Sequence, residues 1–578
     1  MKKTVSLLLA LLMSFTMAVN SMADYSAGTY TGTAAGRNGD ITLEVILSND
    51  AIESVTVTAH QETPGIADAA LVSIPAAIVE KQSLAVDTIA GATITSAAII
   101  DAVEAALSSA GVDVEALKTA ETPDAVEADL VVSDETYDII VIGGGPAGLM
   151  ASVTASEKGA KVLLLEKMPY VGGNMLISGG CIQAADTSVQ RAYGIVGDTV
   201  EQYMEEDKDP ESPYATDEPN FTRTMYQGCS EMIEELVGRG LEFVDYDPVM
   251  RYHVIGPAMF YGGNTLAQML KDQAVAAGAV FKLNTRATGL VTDEAGSVTG
   301  VIVEDNGHPV QYNASAVIIA TGGFSSNNEL ISTYYPEYHL LPSSASVGTT
   351  GDGFIMATAV GAATRGMDTD QQMFFVSADT NIGIPMLLMA CNAILVNQSG
   401  DRFVSEDFDD YAAAHVTAYQ EGSIGYMILS EEIRQTLPEI QDYIDQGAVV
   451  EASSIDELAE KIGTENLAAT IVHYNEMAAA GSDADFGRTF NFSELTSSGN
   501  WYAIKVIPAV FNSFGGIAID LDTHVLREDG SVIGGLYAAG EVTGSVEVWE
   551  GYYYTTGIGQ ALVYGKIAAN TAVDETDK

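Results

Sequence analysis

The run GGGPAG at residues 143–148 has the spacing that a dinucleotide pyrophosphate requires. Gly143 permits a tight turn, Gly145 lets a phosphate approach the backbone, and Gly148 lets a helix pack closely on the preceding strand. Glu166 follows Gly148 by 18 residues, where a carboxylate closing a second strand can accept hydrogen bonds from a ribose. The chemistry implied is that of a bound organic cofactor. Cys181, Cys229 and Cys391 are too widely spaced for an iron–sulfur cluster, a zinc site or a CxxCH haem attachment, and each reads as a small buried hydrophobe. The seven histidines show no metal-ligand spacing, so neither metal nor haem is expected, and His253 reads as a surface or core residue.

These residues need a scaffold, and the sequence around them supplies one. Residues 137–167, YDIIVIGGGPAGLMASVTASEKGAKVLLLEK, read as strand, glycine turn, helix and strand, the opening βαβ unit of a Rossmann-type domain. Residues 25–112 form an earlier unit, with strand-like alternation around Gly-Asp and Asn-Asp turns followed by helical patterns, hence small and α+β. Between them, residues 113–135 are acidic and free of aromatics, as a linker would be. A chain of 578 residues is too long for one core.

Charge and the N-terminus narrow the setting. With 25 basic and 79 acidic residues the net charge is −54, a field that repels nucleic acid and anionic lipid and also an anionic substrate lacking local positive charge. Lys2 and Lys3 precede an apolar run, and Ser21-Met22-Ala23 places small residues two apart before Asp24. This pattern predicts a secretory signal peptide over residues 1–23, cleaved after about Ala23, and an exported protein.

Further motifs recur in a recognisable order: YVGGNMLISGG at 170–180, AVIIATGGF at 316–324, GTTGDG at 348–353 and GGLYAAGEVTG at 534–544. Together with GGGPAG they resemble the flavoprotein family of fumarate reductase and succinate dehydrogenase, most closely its soluble secreted, urocanate reductase-like branch. The resemblance spans about residues 136–578. It implies non-covalent FAD held by Gly143, Gly145, Gly148, Glu166, Gly173, Asn174, Ser178, Gly179, Gly180, Asp352 and Glu541. It also implies an FAD-binding domain in two parts, 136–367 and 514–578, with an inserted α+β clamp over 368–513. Separately, DTIAGAT at 87–93 resembles the sequence at which a flavin transferase esterifies FMN to threonine, which implies covalent FMN at Thr93, with Thr95 a nearby false candidate. A helix N-cap is the plainer reading of that threonine.

At the substrate end the chain departs from the family. NQSGDRFVSE matches the segment whose arginine is expected to protonate the alkene carbon, which places that role on Arg402, while an ion pair with Glu406 is the structural alternative. The family's Glu and Arg relay is replaced near Met386 and Met389, a histidine near the flavin at about Met373, and the carboxylate-binding positions by Phe511, Asn512 and the stretch 549–559, WEGYYYTTGIG. Phe374, Phe375, Phe514 and Trp549 complete an aromatic set that suits a flat hydrophobic substrate. A phenol of the tyrosine run, with Tyr552 and Tyr553 as candidates, is an acid able to release a proton that arginine holds too tightly. The resemblance thus implies reduction of an activated C=C bond, in an enoate such as urocanate or a cinnamate-like acid, with electrons passing from a membrane or soluble donor through FMN to FAD. A ketosteroid or enone dehydrogenase using Tyr552 to Tyr554, and a non-catalytic flavin electron carrier, stand as alternatives.

Overall fold

The computed structural model describes residues 25–576 except 37–38, 50, 61, 63–67, 87–92, 113, 120–129, 179, 211, 245–250, 257–261, 306–307, 385–390, 408–409, 438 and 555–556. The expected signal peptide, the first six residues of DTIAGAT, Gly179, Met386 and Met389 therefore lie outside the described residues. The chain divides into two compact units, Met1–Glu127 and Ala128–Lys578.

In the first unit, strands Gly28–Ala35, Asp40–Leu47 and Ile52–Ala59 form an antiparallel sheet in that order. The middle strand, DITLEVIL, alternates so that Ile41, Leu43, Val45 and Leu47 are buried on one face. Helices Asp68–Lys81 and Thr93–Ser109 cover that face with Ile74, Ile78, Ile99, Val103 and Leu107. Each such side chain contributes about 1.5–3 kcal/mol through burial. The expected linker over 113–135 is shorter than its composition suggests. Leu117, in helix Val114–Thr119, is buried, and its carbonyl accepts from the Leu84 N–H at 3.0 Å and the Ser83 hydroxyl at 2.9 Å. At the other end a strand already begins at Val131.

The second unit is built on an eight-stranded sheet. Its main order is Arg286–Thr292, Val298–Asp305, His308–Ile319, Val131–Ile142, Val162–Leu165 and Val280–Lys282. Strand Val532–Ala538 joins alongside His308–Ile319, and His524–Leu526 alongside Val532–Ala538. The strand before GGGPAG runs parallel to its neighbours, with Ile139 opposite Val162 and Ile142 opposite Ile319. Residues 139–142 and 162–165 are wholly buried, which is why they read as continuous apolar runs rather than alternating ones. Helix Pro146–Glu157 starts with proline, whose missing N–H costs nothing at a first turn, and packs on helices Gly262–Ala276 and Gly557–Thr576.

A second, antiparallel sheet lies within the stretch expected as a clamp. It has the order Gln371–Ser377, Trp501–Ser513, Gly425–Ser430 and Ile394–Val396, with Val449–Ala452 also on Trp501–Ser513. Gln372 sits opposite Asn512 but Met373 sits opposite Val510, so Phe511 is an extra, unpaired residue. This bulge turns two consecutive side chains, Phe511 and Asn512, toward one side. Among the described residues no helix is long and apolar enough to cross a membrane.

Candidate functional site

The glycine turn, the 3₁₀ turn Gly173–Ile177 and the end of the Trp501–Ser513 strand border one cavity of about 350 Å³. Gly143 has φ +104°, and a Cβ there would run into the Ala320 carbonyl. A Cβ on Gly148 would run into the Gly143 carbonyl, so this glycine serves close packing of helix on strand. Gly145 differs from both. A Cβ there would meet nothing within 4 Å, because its open side faces the cavity at a helix N-terminus that no side chain caps. Unused amide N–H groups beside open space are what a pyrophosphate needs. The buried Thr321 hydroxyl, also on the lining, has no partner among the described residues.

Three carboxylates line the same space in different electrostatic states. Glu166 accepts from the N–H groups of Gly144 and Met168, each at 2.7 Å; burial pushes its carboxyl up while those donors oppose the shift. Asp352 is buried too, but Arg286 at 2.8 Å and Lys167 at 3.0 Å outweigh the burial and bring it down to about 2. Glu541 has no cation beside it among the described residues. It accepts from Ser513 N–H at 3.0 Å and Asn174 Nδ2 at 3.2 Å, and burial pushes it up to about 7. Asn174 Oδ1 in turn accepts from the Ser346 N–H at 2.7 Å. Gly143, Gly145, Glu166, Gly173, Asn174, Ser178, Asp352 and Glu541 all line the cavity, and this set fits FAD. Gly180 does not line it, because its φ of +67° and its close approach to Gly262 and Gly263 make it a packing glycine. Cys181 does line it, unlike the buried Cys229 and Cys391, and so is more than a core residue.

Elsewhere the lining is aromatic and neutral. Phe374 and Phe511 meet edge to face at 5.0 Å, with Gln372, Asn512 and Tyr554 beside them on the lining. Asn512 Nδ2 donates to Gln372 Oε1 at 2.7 Å and to the Tyr554 hydroxyl at 3.0 Å. Burial and the negative charges of Glu541 and Glu547 hold the Tyr554 phenol well above its ordinary range, so it stays protonated. Strand alternation puts Gln372 and Phe374 on the cavity and sends Met373 and Phe375 into the core, so the residue facing the site is Gln372, not Met373. Phe514 and Trp549 are buried outside the lining, Trp549 donating to the Phe514 carbonyl at 3.1 Å. His253 is a core residue between Thr187 Oγ1 at 2.7 Å and the Arg251 carbonyl at 2.8 Å.

The proposed acids need correction. Arg402 does not line the cavity. Its guanidinium grips Glu406 at 3.0 and 2.6 Å and Asp483 at 3.0 Å, and it lies over the rings of Tyr474 and Phe486. Burial works against its charge, but the two carboxylates outweigh burial and hold it above its ordinary range; bound to them and away from the lining, it is not placed to protonate a substrate in this cavity. Tyr552 is buried against Tyr226 and pairs through its backbone with Lys208; Tyr553 is 53% exposed. Tyr554 alone of the three reaches the cavity. In the first unit, Thr93 is the opening residue of helix Thr93–Ser109, while the Thr95 hydroxyl is buried and donates to Glu62.

Replacing Arg402 by Ala leaves Glu406 and Asp483 buried without their main cation, and is expected to lower stability by about 3–5 kcal/mol in thermal or denaturant unfolding. Alkene reduction per bound FAD should stay within threefold, whereas a proton donor's loss would remove it. Glu541 supplies a pH test on flavin-free protein. Its folded pKa lies above the unfolded value, so its stabilising contribution is full below pH 4.5 and is lost as pH rises through about 7. Glu541→Gln should therefore match the parent near the acid end and exceed it at alkaline pH, by no more than about 3 kcal/mol.

The FAD binding domain family matches residues 138–557, and the FMN-binding domain family matches residues 36–108. The urocanate reductase of Eggerthella lenta is 30% identical over 96% of this chain and 93% of its own length. The NADH:acrylate oxidoreductase of Vibrio harveyi is 31% identical over 95% of this chain, which spans 61% of that relative's length. Among solved structures, the open conformation of a flavocytochrome c3 fumarate reductase superposes with a TM-score of 0.67 at 30% identity, over 77% of this chain and 79% of that one. The chain therefore belongs to the fumarate reductase family of FAD-dependent oxidoreductases, and it carries an FMN-binding domain ahead of its FAD binding domain.

Proposed function

We propose that the protein is an exported reductase that saturates an activated carbon–carbon double bond, with Tyr554 as proton donor and FMN on Thr93 as electron inlet. One observation carries this reading: a protonated phenol stands on the same cavity lining as the FAD-binding residues. When bound, FAD supplies hydride to one alkene carbon. The residues of the chain must do the rest. The amides opening helix Pro146–Glu157 and the Glu166 carboxylate hold the cofactor's polar parts, while Asn174 and Glu541 brace the turn beside them. Phe374 and Phe511 exclude water from an apolar body. Asn512, by donating to the Tyr554 oxygen, leaves the phenol hydrogen free to pass to the second alkene carbon, and the hydrogen bond it keeps to that oxygen supports the negative charge left behind. Proton and hydride together make the C–H pair, and solvent restores the phenol.

The relatives support the reaction class, since urocanate, acrylate and fumarate reductases are among them. Export rests on the sequence of residues 1–23, and covalent FMN on DTIAGAT, both as expectations from sequence. A flavin transferase for maturation and a membrane or soluble electron donor follow from that wiring. A second reading, an enone or ketosteroid dehydrogenase, draws on the placement of Tyr554 among aromatic residues.

Tyr554→Phe is expected to lower alkene-dependent reoxidation of reduced protein about 10²–10⁴-fold, with FAD content and dithionite reduction unchanged. Equal rates in stopped flow would exclude the phenol as acid. In protein made together with a flavin transferase, mass spectrometry should find FMN on the peptide holding Thr93. Thr93→Val should lose that mass, and Thr95→Val should keep it.

A further inference from the structure

Among the described residues, the part of the cavity beside Tyr554 offers no cation to an anionic substrate. Lys167 is the basic residue on the lining, and it is paired with Asp352 at 3.0 Å. Stretches of the second unit outside the described residues contain no lysine, arginine or histidine except Lys578. Arg402 and Arg488 are tied to Glu406 and Asp483. Arg365, half-buried, lies over the Trp549 and Phe221 rings at 4.9 and 5.4 Å and is not on the lining. A carboxylate taken from water into such a space loses several kcal/mol of hydration with no opposite charge in return, and a net charge of −54 adds to the cost.

What faces the space is neutral and oriented. Both hydrogens of Asn512 Nδ2 are in use, one on Gln372 Oε1 at 2.7 Å and one on the Tyr554 oxygen at 3.0 Å. That arrangement fixes the Gln372 amide with its oxygen toward Asn512. Its Nε2 donates to nothing among the described residues, and neither does the Tyr554 hydroxyl. Two uncharged donors therefore share a lining with the crossed rings of Phe374 and Phe511, a combination that suits a carbonyl oxygen attached to a flat apolar body.

Resting on the reductase reading, we infer that Gln372 determines specificity by donating from Nε2 to the carbonyl of an uncharged activating group. The substrate is then a conjugated ketone, ester or amide, or an acid bound in its protonated form, with its apolar body against Phe374 and Phe511. Gln372 gains and loses no proton; it holds the carbonyl while hydride and proton add across the neighbouring double bond, and the carbonyl is retained in the product. Gln372 is a positioning residue for the reacting bond, and Tyr554 the catalytic one.

The test is ligand binding to the full-length, flavin-loaded protein near neutral pH, read as a shift of the oxidised FAD absorption band. The probes are 4-phenylbutan-2-one, methyl 3-phenylpropanoate and 3-phenylpropanoate. The ketone and ester should bind at least about tenfold more tightly than the acid, whose affinity should rise about tenfold for each unit that pH falls toward its own pKa. Gln372→Glu keeps the acceptor for Asn512 and removes the donor, so ketone binding should weaken about tenfold, one hydrogen bond's worth, at unchanged FAD content. Gln372→Arg should reverse the preference toward the acid. Equal or tighter binding of the acid by the parent protein, binding of none of the three, or ketone binding by Gln372→Glu within twofold of the parent would each overturn the assignment. Turnover is scored apart, as anaerobic reoxidation by 4-phenylbut-3-en-2-one, methyl cinnamate and cinnamate. Failure of all three refutes the reductase reading, while the binding ratios still decide the role of Gln372.

Discussion

The half-buried carboxylate of Glu541, on the cavity lining, is the constraint around which the site is arranged. It draws together the Asn174 side chain, the Ser513 N–H and its own turn after strand Val532–Ala538, and a side chain on Gly323 would collide with it. A carboxyl buried without a cation is tolerated only where donors surround it, so each of these segments must keep its place for the others to keep theirs. The cavity is the space left when the Rossmann sheet, the 3₁₀ turn and the long clamp strand all reach for one side chain.

Charge is distributed with the same economy. In a chain of 79 acidic and 25 basic residues, these cations are already committed, Lys167 and the exposed Arg286 to Asp352, and the buried Arg402 and Arg488 to Glu406 and its neighbours. Fold stability and substrate chemistry thereby become linked. Positive charge needed to hold the buried carboxylates Glu406 and Asp483 is not available at the alkene, and neutral groups carry recognition there.

How much of this was legible in the sequence follows from range. GGGPAG, its flanking apolar strands and Glu166 are local signals, and the strand, glycine turn, helix and second strand fold where they were read. The segment NQSGDRF looks alike whether its arginine faces a cofactor or a carboxylate, and the decisive partner, Asp483, lies 81 residues away in sequence. A run of three tyrosines likewise does not say which ring faces inward. That is set by Gly551, whose φ is +83°, and by the pairing of Tyr552 with Lys208. Period-two alternation through DQQMFF would have selected Gln372 and Phe374 over Met373, but the bulge on the facing strand leaves no trace in composition. The acidic stretch 113–135 misled in a simpler way, since a single buried leucine, Leu117, anchors its beginning to the first unit.

The bulge at Phe511 has a consequence for how such a site diversifies. Trp501–Ser513 belongs to the clamp sheet along most of its length and ends on the Glu541 carboxylate, so its tip is fixed at both sides. The extra residue is accommodated between those two anchors. Deleting or moving it by one position would exchange which side chains face inward while leaving sheet and cofactor contacts in place. Substrate range in this architecture can thus drift by a slip of the backbone as readily as by a change of residue, and two chains with nearly the same sequence there need not present the same wall.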